Sequence, residues 1–195
     1  MIKIGILGDI GSGKSFAAKQ FNCPVFNADK EVVKIYKNDR SCYLKLNKKL
    51  SKFIKSYPIK KKELAIAILK NKNNLKKIVN IVHPLVRKRM NNFLKKNYKS
   101  KMIVLDIPLL IENKMYDKKF ILIFIEAKKS NINKKLKNRP NYNKVLINNF
   151  RKLQTSIKIK KKLSHYVIKN DFKLYSIRKS VKLIKNQILN ERNST

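Results

Sequence analysis

Cysteine is scarce: the chain of 195 residues carries two, Cys23 and Cys42, with no CxxC pair. A disulfide scaffold and a four-ligand zinc centre are therefore excluded as organising devices. Acid is the second shortage. Eleven Asp and Glu stand against 49 Lys and Arg, a formal net charge of +38. Long apolar runs are lacking too, and none approaches the roughly 18 residues a membrane span needs. The chain opens Met1-Ile2-Lys3-Ile4-Gly5, without a basic region followed by a cleavable apolar stretch. The expectation is a cytoplasmic protein with no membrane partner. There is no internal repeat and no Pro/Gly/Ser-rich linker. Apolar types reach 43%, enough for a sizeable core, which excludes a disordered charged tail.

The charge invites a nucleic-acid reading, but its composition argues otherwise. The basic residues are 42 Lys and only 7 Arg, beside 25 Ile and 23 Asn. Lys, Ile and Asn share AT-rich codons, so base composition can produce this balance without selection for a partner. The lysines are spread through every segment, and the aromatics form no RNA-binding pattern. No specific nucleic-acid partner is expected. A positive field that draws polyphosphate anions is.

Apolar patterning alternates strand and helix. Ile2 to Leu7 reads as a buried parallel strand, followed by a glycine loop over Gly8–Gly13 and a helix from Lys14 to about Phe21. Val25–Asn27 reads as a short strand and Lys30–Tyr36 as a helix. Between 39 and 97 strand signals vanish, and leucines and isoleucines recur at helical spacing. Met102–Asp106 and Phe120–Ile125 read as buried strands, Lys128–Asn138 as a helix, and Tyr142–Leu163 as one or two lysine-rich helices. Tyr166–Ile168 reads as a last strand and Phe172–Leu189 as an amphipathic helix. The pattern predicts an α/β fold with a parallel sheet.

One motif carries chemistry. Gly8-Asp9-Ile10-Gly11-Ser12-Gly13-Lys14-Ser15 satisfies G-x-x-x-x-G-K-[ST] directly after a strand and at the start of a helix. Glycines let successive backbone N–H groups point at phosphate oxygens, and the helix N-terminus adds its positive end. Lys14 can reach the β- and γ-phosphates, and the Ser15 hydroxyl can ligate Mg²⁺. Gly8, Ile10, Gly11, Ser12, Gly13, Lys14, Ser15 and the adjoining Phe16 are thus candidates to bind a nucleoside triphosphate. An NKxD guanine-reading motif is absent, and the length leaves little room for motor or transporter machinery. A small kinase remains, and it needs a group to handle the acceptor hydroxyl. Asp29, after the second strand, lies at the sheet edge where open α/β folds place ligands. Position alone leaves two readings open: a base for the acceptor hydroxyl, or an N-cap of the Lys30–Tyr36 helix. Asp106, at a strand end, suits a water-mediated Mg²⁺ role.

These pieces together resemble the dephospho-CoA kinase family, from Ile4 to about Asn170. The matching segments are Gly8–Ser15; Asn27-Ala28-Asp29, similar to the family's D-A-D; His83-Pro84-Leu85-Val86; Asp106-Ile107-Pro108-Leu109-Leu110-Ile111-Glu112-Asn113; Arg139 and Gln154; and Val167-Ile168-Lys169-Asn170. The resemblance implies a P-loop NTPase fold with a five-stranded parallel sheet flanked by helices. It implies a nucleotide-binding core over 1–38, 98–138 and 164–195, a helical acceptor-binding insertion over 39–97 and a lid over 139–163. It implies transfer of phosphate from ATP, with Mg²⁺, to the ribose 3′-hydroxyl of dephospho-CoA, by a monomer or small homo-oligomer. It assigns Asp29 as base, Lys14 and Arg139 to the phosphates, Asn170 to the adenine loop, and His83, Pro108, Leu109 and Glu112 to the acceptor side.

The sequence departs from that family at several points. Asp9 stands where the family has Gly, so an acid lies beside the phosphates and should weaken binding unless it points away. Asn27 replaces the first Asp of D-A-D. Pro140 follows the lid arginine, and Ser164-His165 stands where Ala-Asp is common. Blander roles also present themselves: His83 as a packed or N-capping histidine, Glu112 as a local helix partner, Cys23 as a small core residue, and Lys158–Lys162 as a solvated face. The rival functions are another small-molecule or nucleoside-monophosphate-type P-loop kinase, and a basic nucleotide-dependent nucleic-acid binder.

Overall fold

Strands β3 (Met102–Asp106) and β4 (Phe120–Glu126) are apolar at nearly every position, the pattern of strands covered on both faces. The computed structural model describes residues 1–140 and 142–193, so Asn141 and the last two residues of the core range, 194–195, lie outside the described residues. With β1 (Ile2–Gly8), β2 (Val25–Asn27) and β5 (Tyr166–Lys169) these strands form one five-stranded sheet in the order β2-β3-β1-β4-β5. Every pairing is parallel. All carboxyl ends therefore lie along one edge, and β1 is the middle strand.

Helices are α1 (Lys14–Lys19), α2 (Ala28–Asn38), α3 (Arg40–Leu50), α4 (Lys61–Lys70), α5 (Asn73–Lys96), α6 (Lys129–Lys137), α7 (Lys144–Arg151), α8 (Ile157–Lys162) and α9 (Leu174–Asn193). The chain divides into two compact units. A sheet unit comprises 1–27, 97–142 and 151–195, and a helical unit comprises 28–96 and 143–150.

In the sheet unit, α9 repeats Ile177, Val181, Ile184 and Ile188 at spacings of four, three and four, which puts them on one helix face. All four are buried in one cluster with Ala17, Ala18 and Phe21 of the α1 segment and with Ile4, Ile6, Ile123 and Ile125 of the sheet. Small alanines let α1 lie close to the strands that carry the loop.

In the helical unit, Ile35, Cys42, Leu46, Leu50, Ile54, Leu64, Ile68, Ile78, Val82 and Val86 are buried. Asp39 caps α3 through its side chain, which accepts from Cys42 N at 2.8 Å, a bond worth about 1 kcal/mol. Pro84 lies inside α5, where it supplies no N–H to the preceding turn. The His83-Pro84 pair is thus mid-helix, which overturns the capping role for His83. No helix among the described residues is long and apolar enough to cross a membrane.

Candidate active site

Four polar segments emerge along the carboxyl edge of the sheet: the loop after β1, Asn27 at the end of β2, Asp106 at the end of β3, and Asn170 after β5. The loop needs its glycines. Gly8 has φ 145°, and a Cβ there would stand 2.7 Å from both Ile125 O and Ser12 Oγ. Gly13 has φ 93°, and a Cβ would run into Asn170 Nδ2. Both positions exclude a side chain on conformation as well as space.

Lys14 is buried, at 9% exposure, and its Nζ donates to Gly8 O at 3.1 Å and Asp9 O at 2.7 Å. The ammonium is thereby held inside the curl of the loop rather than out in solvent. Ser12 is fully buried, and its Oγ meets no hydrogen-bond partner among the described residues. Ile10 is half-buried, Ser15 and Phe16 are exposed at the start of α1. Asn170 fastens the loop from behind: its Nδ2 donates to Ser12 O at 2.7 Å and its Oδ1 accepts from Phe172 N at 2.7 Å. Its backbone N–H in turn donates to Glu126 O at 2.7 Å, tying it to the end of β4. The residue assigned to adenine by resemblance is thus buried behind the loop with its amide engaged on protein.

Asn27 and Asp106 are register partners on β2 and β3. Asn27 Nδ2 donates to Asp106 Oδ2 and reaches Ser15 Oγ at 3.4 Å. Asp106 is 3% exposed. One amide thus gathers the hydroxyl and the carboxylate that the motif reading linked to Mg²⁺. Their donor chemistry, hard oxygen atoms only, fits a magnesium ion that keeps waters and phosphate oxygens as its other ligands. No cluster of three or more His, Cys, Asp or Glu able to hold a metal occurs among the described residues. A site that shares its ion with a polyphosphate does not require one.

Asp9 does not face the loop unaccompanied. Its Oδ1 accepts from Ile10 N at 2.6 Å and Arg151 Nε at 3.2 Å, and its Oδ2 accepts from Arg151 Nη2 at 3.0 Å. Glu112 is also paired far along the chain. Its Oε1 accepts from Thr155 N at 2.6 Å and lies 3.0 Å from Lys160 Nζ. Lys160 also donates to Gln154 Oε1 at 3.1 Å. This corrects two expectations. The stretch after β3 is turn, not helix, so Glu112 has no local helical partner. Lys160 is 2% exposed, so the run Lys158–Lys162 is not uniformly a solvated face. The sequence signal for this pairing was Glu112 itself: an acid ending an apolar stretch in a chain with few acids needs a cation if it is buried.

The remaining residues fall elsewhere. Arg139 is exposed just past α6, and Pro108 and Leu109 are half-buried just past β3. Asp29 and His83 belong to the helical unit. Helix α2 starts at Ala28, so Asp29 stands exposed in its first turn and is not the cap residue. Cys23 has its thiol pushed up by burial, with Lys185 acting weakly the other way.

A parallel sheet with β1 central, a glycine loop closing on its own lysine, and a hydroxyl and carboxylate gathered next to it define a P-loop phosphotransferase. Comparison with known proteins narrows this. The dephospho-CoA kinase family model matches residues 2–175, and the chain belongs to that family. A Wolbachia pipientis protein named dephospho-CoA kinase is 32% identical over 170 residues, covering 85% of this chain and 87% of the relative. The structure of a Campylobacter jejuni dephospho-CoA kinase superposes with a TM-score of 0.67 at 23% identity, covering 97% of this chain and 98% of the other. A Thermus thermophilus crystal structure superposes at 0.75 with 22% identity, over 95% of this chain and 97% of the other. At those identities the two structures speak for the fold.

Proposed function

We propose that this chain transfers the terminal phosphoryl group of ATP to the ribose 3′-hydroxyl of dephospho-CoA, giving coenzyme A and ADP. The observation that carries the reading is the loop in which Lys14 is buried among backbone carbonyls beside the Ser15–Asn27–Asp106 group. Membership of the family supplies the acceptor.

Loop amides and Lys14 bind and orient the phosphates of ATP. Ser15, and Asp106 through water, would hold Mg²⁺, which when bound would supply positive charge against the phosphates. Asp29 accepts the proton of the 3′-hydroxyl as that oxygen forms its bond to the γ-phosphorus. The bond from the γ-phosphorus to the bridging oxygen breaks, and ADP leaves with that electron pair. Arg139 and Lys14 neutralise charge on the transferred group. Positioning and electrostatics dominate such a transfer. Asn170 serves the reaction by fixing the loop at Ser12. Glu112 serves it by holding the segment around Gln154 and Lys160.

The test is ATP turnover with and without dephospho-CoA, in the wild type and in Asp29→Asn. Turnover should require the acceptor. The variant should keep its melting temperature and ATP binding and lose about 100-fold or more in transfer rate, the scale of a general base. Near-normal transfer in the variant would remove Asp29 from the role and make Asp106 the next candidate.

A further inference from the structure

Asp9 is the one acid inside the Gly8–Ser15 loop, and it takes the N–H of Ile10 for itself at 2.6 Å. Loop amides are what a phosphate needs. A carboxylate that occupies one of them, and adds a negative charge beside the others, opposes polyphosphate binding. Arg151 answers the second effect, the charge. Two of its nitrogens reach the two carboxylate oxygens, at 3.2 and 3.0 Å. Asp9 keeps 14% side-chain exposure and Arg151 30%, so the pair is shielded but not sealed. The chain uses Arg at only 7 of 49 basic positions. A planar fork can grip both oxygens at once, which a lysine ammonium cannot.

We propose that Arg151 is a positioning residue for ATP binding: its fork grips the Asp9 carboxylate and offsets its charge, so that a loop carrying an acid still accepts polyphosphate. The inference rests on the reading of this loop as the ATP site. It makes Asp9 and Arg151 a matched pair, in which the arginine matters because the acid is there.

The experiment measures ATP affinity of the full chain by displacing a fluorescent ATP analogue in the presence of Mg²⁺, with thermal melts alongside. Arg151→Leu should weaken ATP binding by about tenfold or more, as an uncompensated charge a few ångströms from a phosphate would. Its melt should shift little, since a partly exposed ion pair adds little stability. Arg151→Lys, which keeps the charge and loses the fork, should fall between. Asp9→Gly combined with Arg151→Leu should return affinity to within about threefold of wild type, close to the margin for sites that no longer interact. If Arg151→Leu does not fold, the comparison runs through Arg151→Lys with and without Asp9→Gly. Wild-type affinity in the single Arg151 variants overturns the proposal. So does a double variant as weak as the single one, because Arg151 would then be touching phosphate directly. A wild type that binds no ATP overturns the loop reading and this inference with it. A wild type that binds ATP but does not transfer to dephospho-CoA overturns the acceptor and leaves the inference standing.

Discussion

The two units bury polar groups for different ends. In the helical unit the one buried polar residue among those described is Asn74, whose Nδ2 donates to Ala67 O at 2.9 Å and joins α4 to α5. In the sheet unit they are Ser12, Lys14, Asp106, Lys160 and Asn170. Three of these are ionisable side chains, which seldom go inside unless paired or held by hydrogen bonds. Four belong to the nucleotide loop or to segments that touch or flank it, and Lys160 braces Gln154 and Glu112. In a chain with 42 lysines, number says nothing about which lysine matters. Burial does, and it selects Lys14 and Lys160.

The strongest way to break that contrast is Lys14→Met, which keeps the aliphatic stem and removes the charge. Transfer should slow by about 3–4 kcal/mol in activation free energy, with the melt preserved. A folded variant with more than half the wild-type rate would detach this loop from the chemistry. Lys160→Met tests the other buried lysine. It strands the Glu112 carboxylate, so denaturant unfolding should show a loss of about 3 kcal/mol, with partial recovery when Glu112→Gln is added. Equal losses in single and double variants would show that the pair is not a unit.

A smaller effect is expected from Asn27→Asp, which restores the family's acid but sets two carboxylates against each other at Asp106. Such a pair shares a proton, so its folded pKa is raised. The destabilisation, about 1–2 kcal/mol, should be present above that raised pKa and fade as pH falls through it. Added Mg²⁺ should relieve it as well. Melts at pH 5 and 7.5, with and without Mg²⁺, decide this, and a pH-independent melt counts against the geometry. The smallest effect lies in the helical unit. Burial alone would raise Glu31, but hydrogen bonds from Lys34 and Arg89 outweigh it and hold the carboxyl below its usual value. That stability is present above the ordinary glutamate range and is lost as pH falls through the lowered value. Glu31→Gln should flatten the acid limb of a pH–stability curve.

Much of the sheet unit is visible in the sequence because its strands are apolar throughout and its loop is a motif. The readings of 2–7, 25–27, 102–106, 120–125 and 166–168 as strands correspond to β1 to β5, with ends differing by a residue. The helices between 39 and 97 follow from leucine spacing, although one helix running through Pro84 does not, since proline normally ends such a pattern. Long-range polar pairing is invisible to local pattern. Asp9 and Arg151 are 142 residues apart. Helix α8 even inverts the usual rule: Ile157 and Ile159 are about half exposed while Lys160 is buried. Only the demand of Glu112 for a partner could have exposed that lysine.

The sheet's margins have a consequence for the chain's life before it is folded. Phe120-Ile121-Leu122-Ile123-Phe124-Ile125 is a continuous β-prone run with no charge, the kind of segment that stacks between chains. All-parallel pairing joins distant segments, so such a run stays uncovered while the sheet assembles. In the finished molecule it is second from the edge, and the margins are β2, three residues long, and β5, four residues long and ending in Lys169. Margins this short give a neighbouring chain little to pair with. Lysines flank the run itself at 118, 119, 128 and 129, where they act as gatekeepers. The net charge of +38 adds mutual repulsion between unfolded copies of the chain.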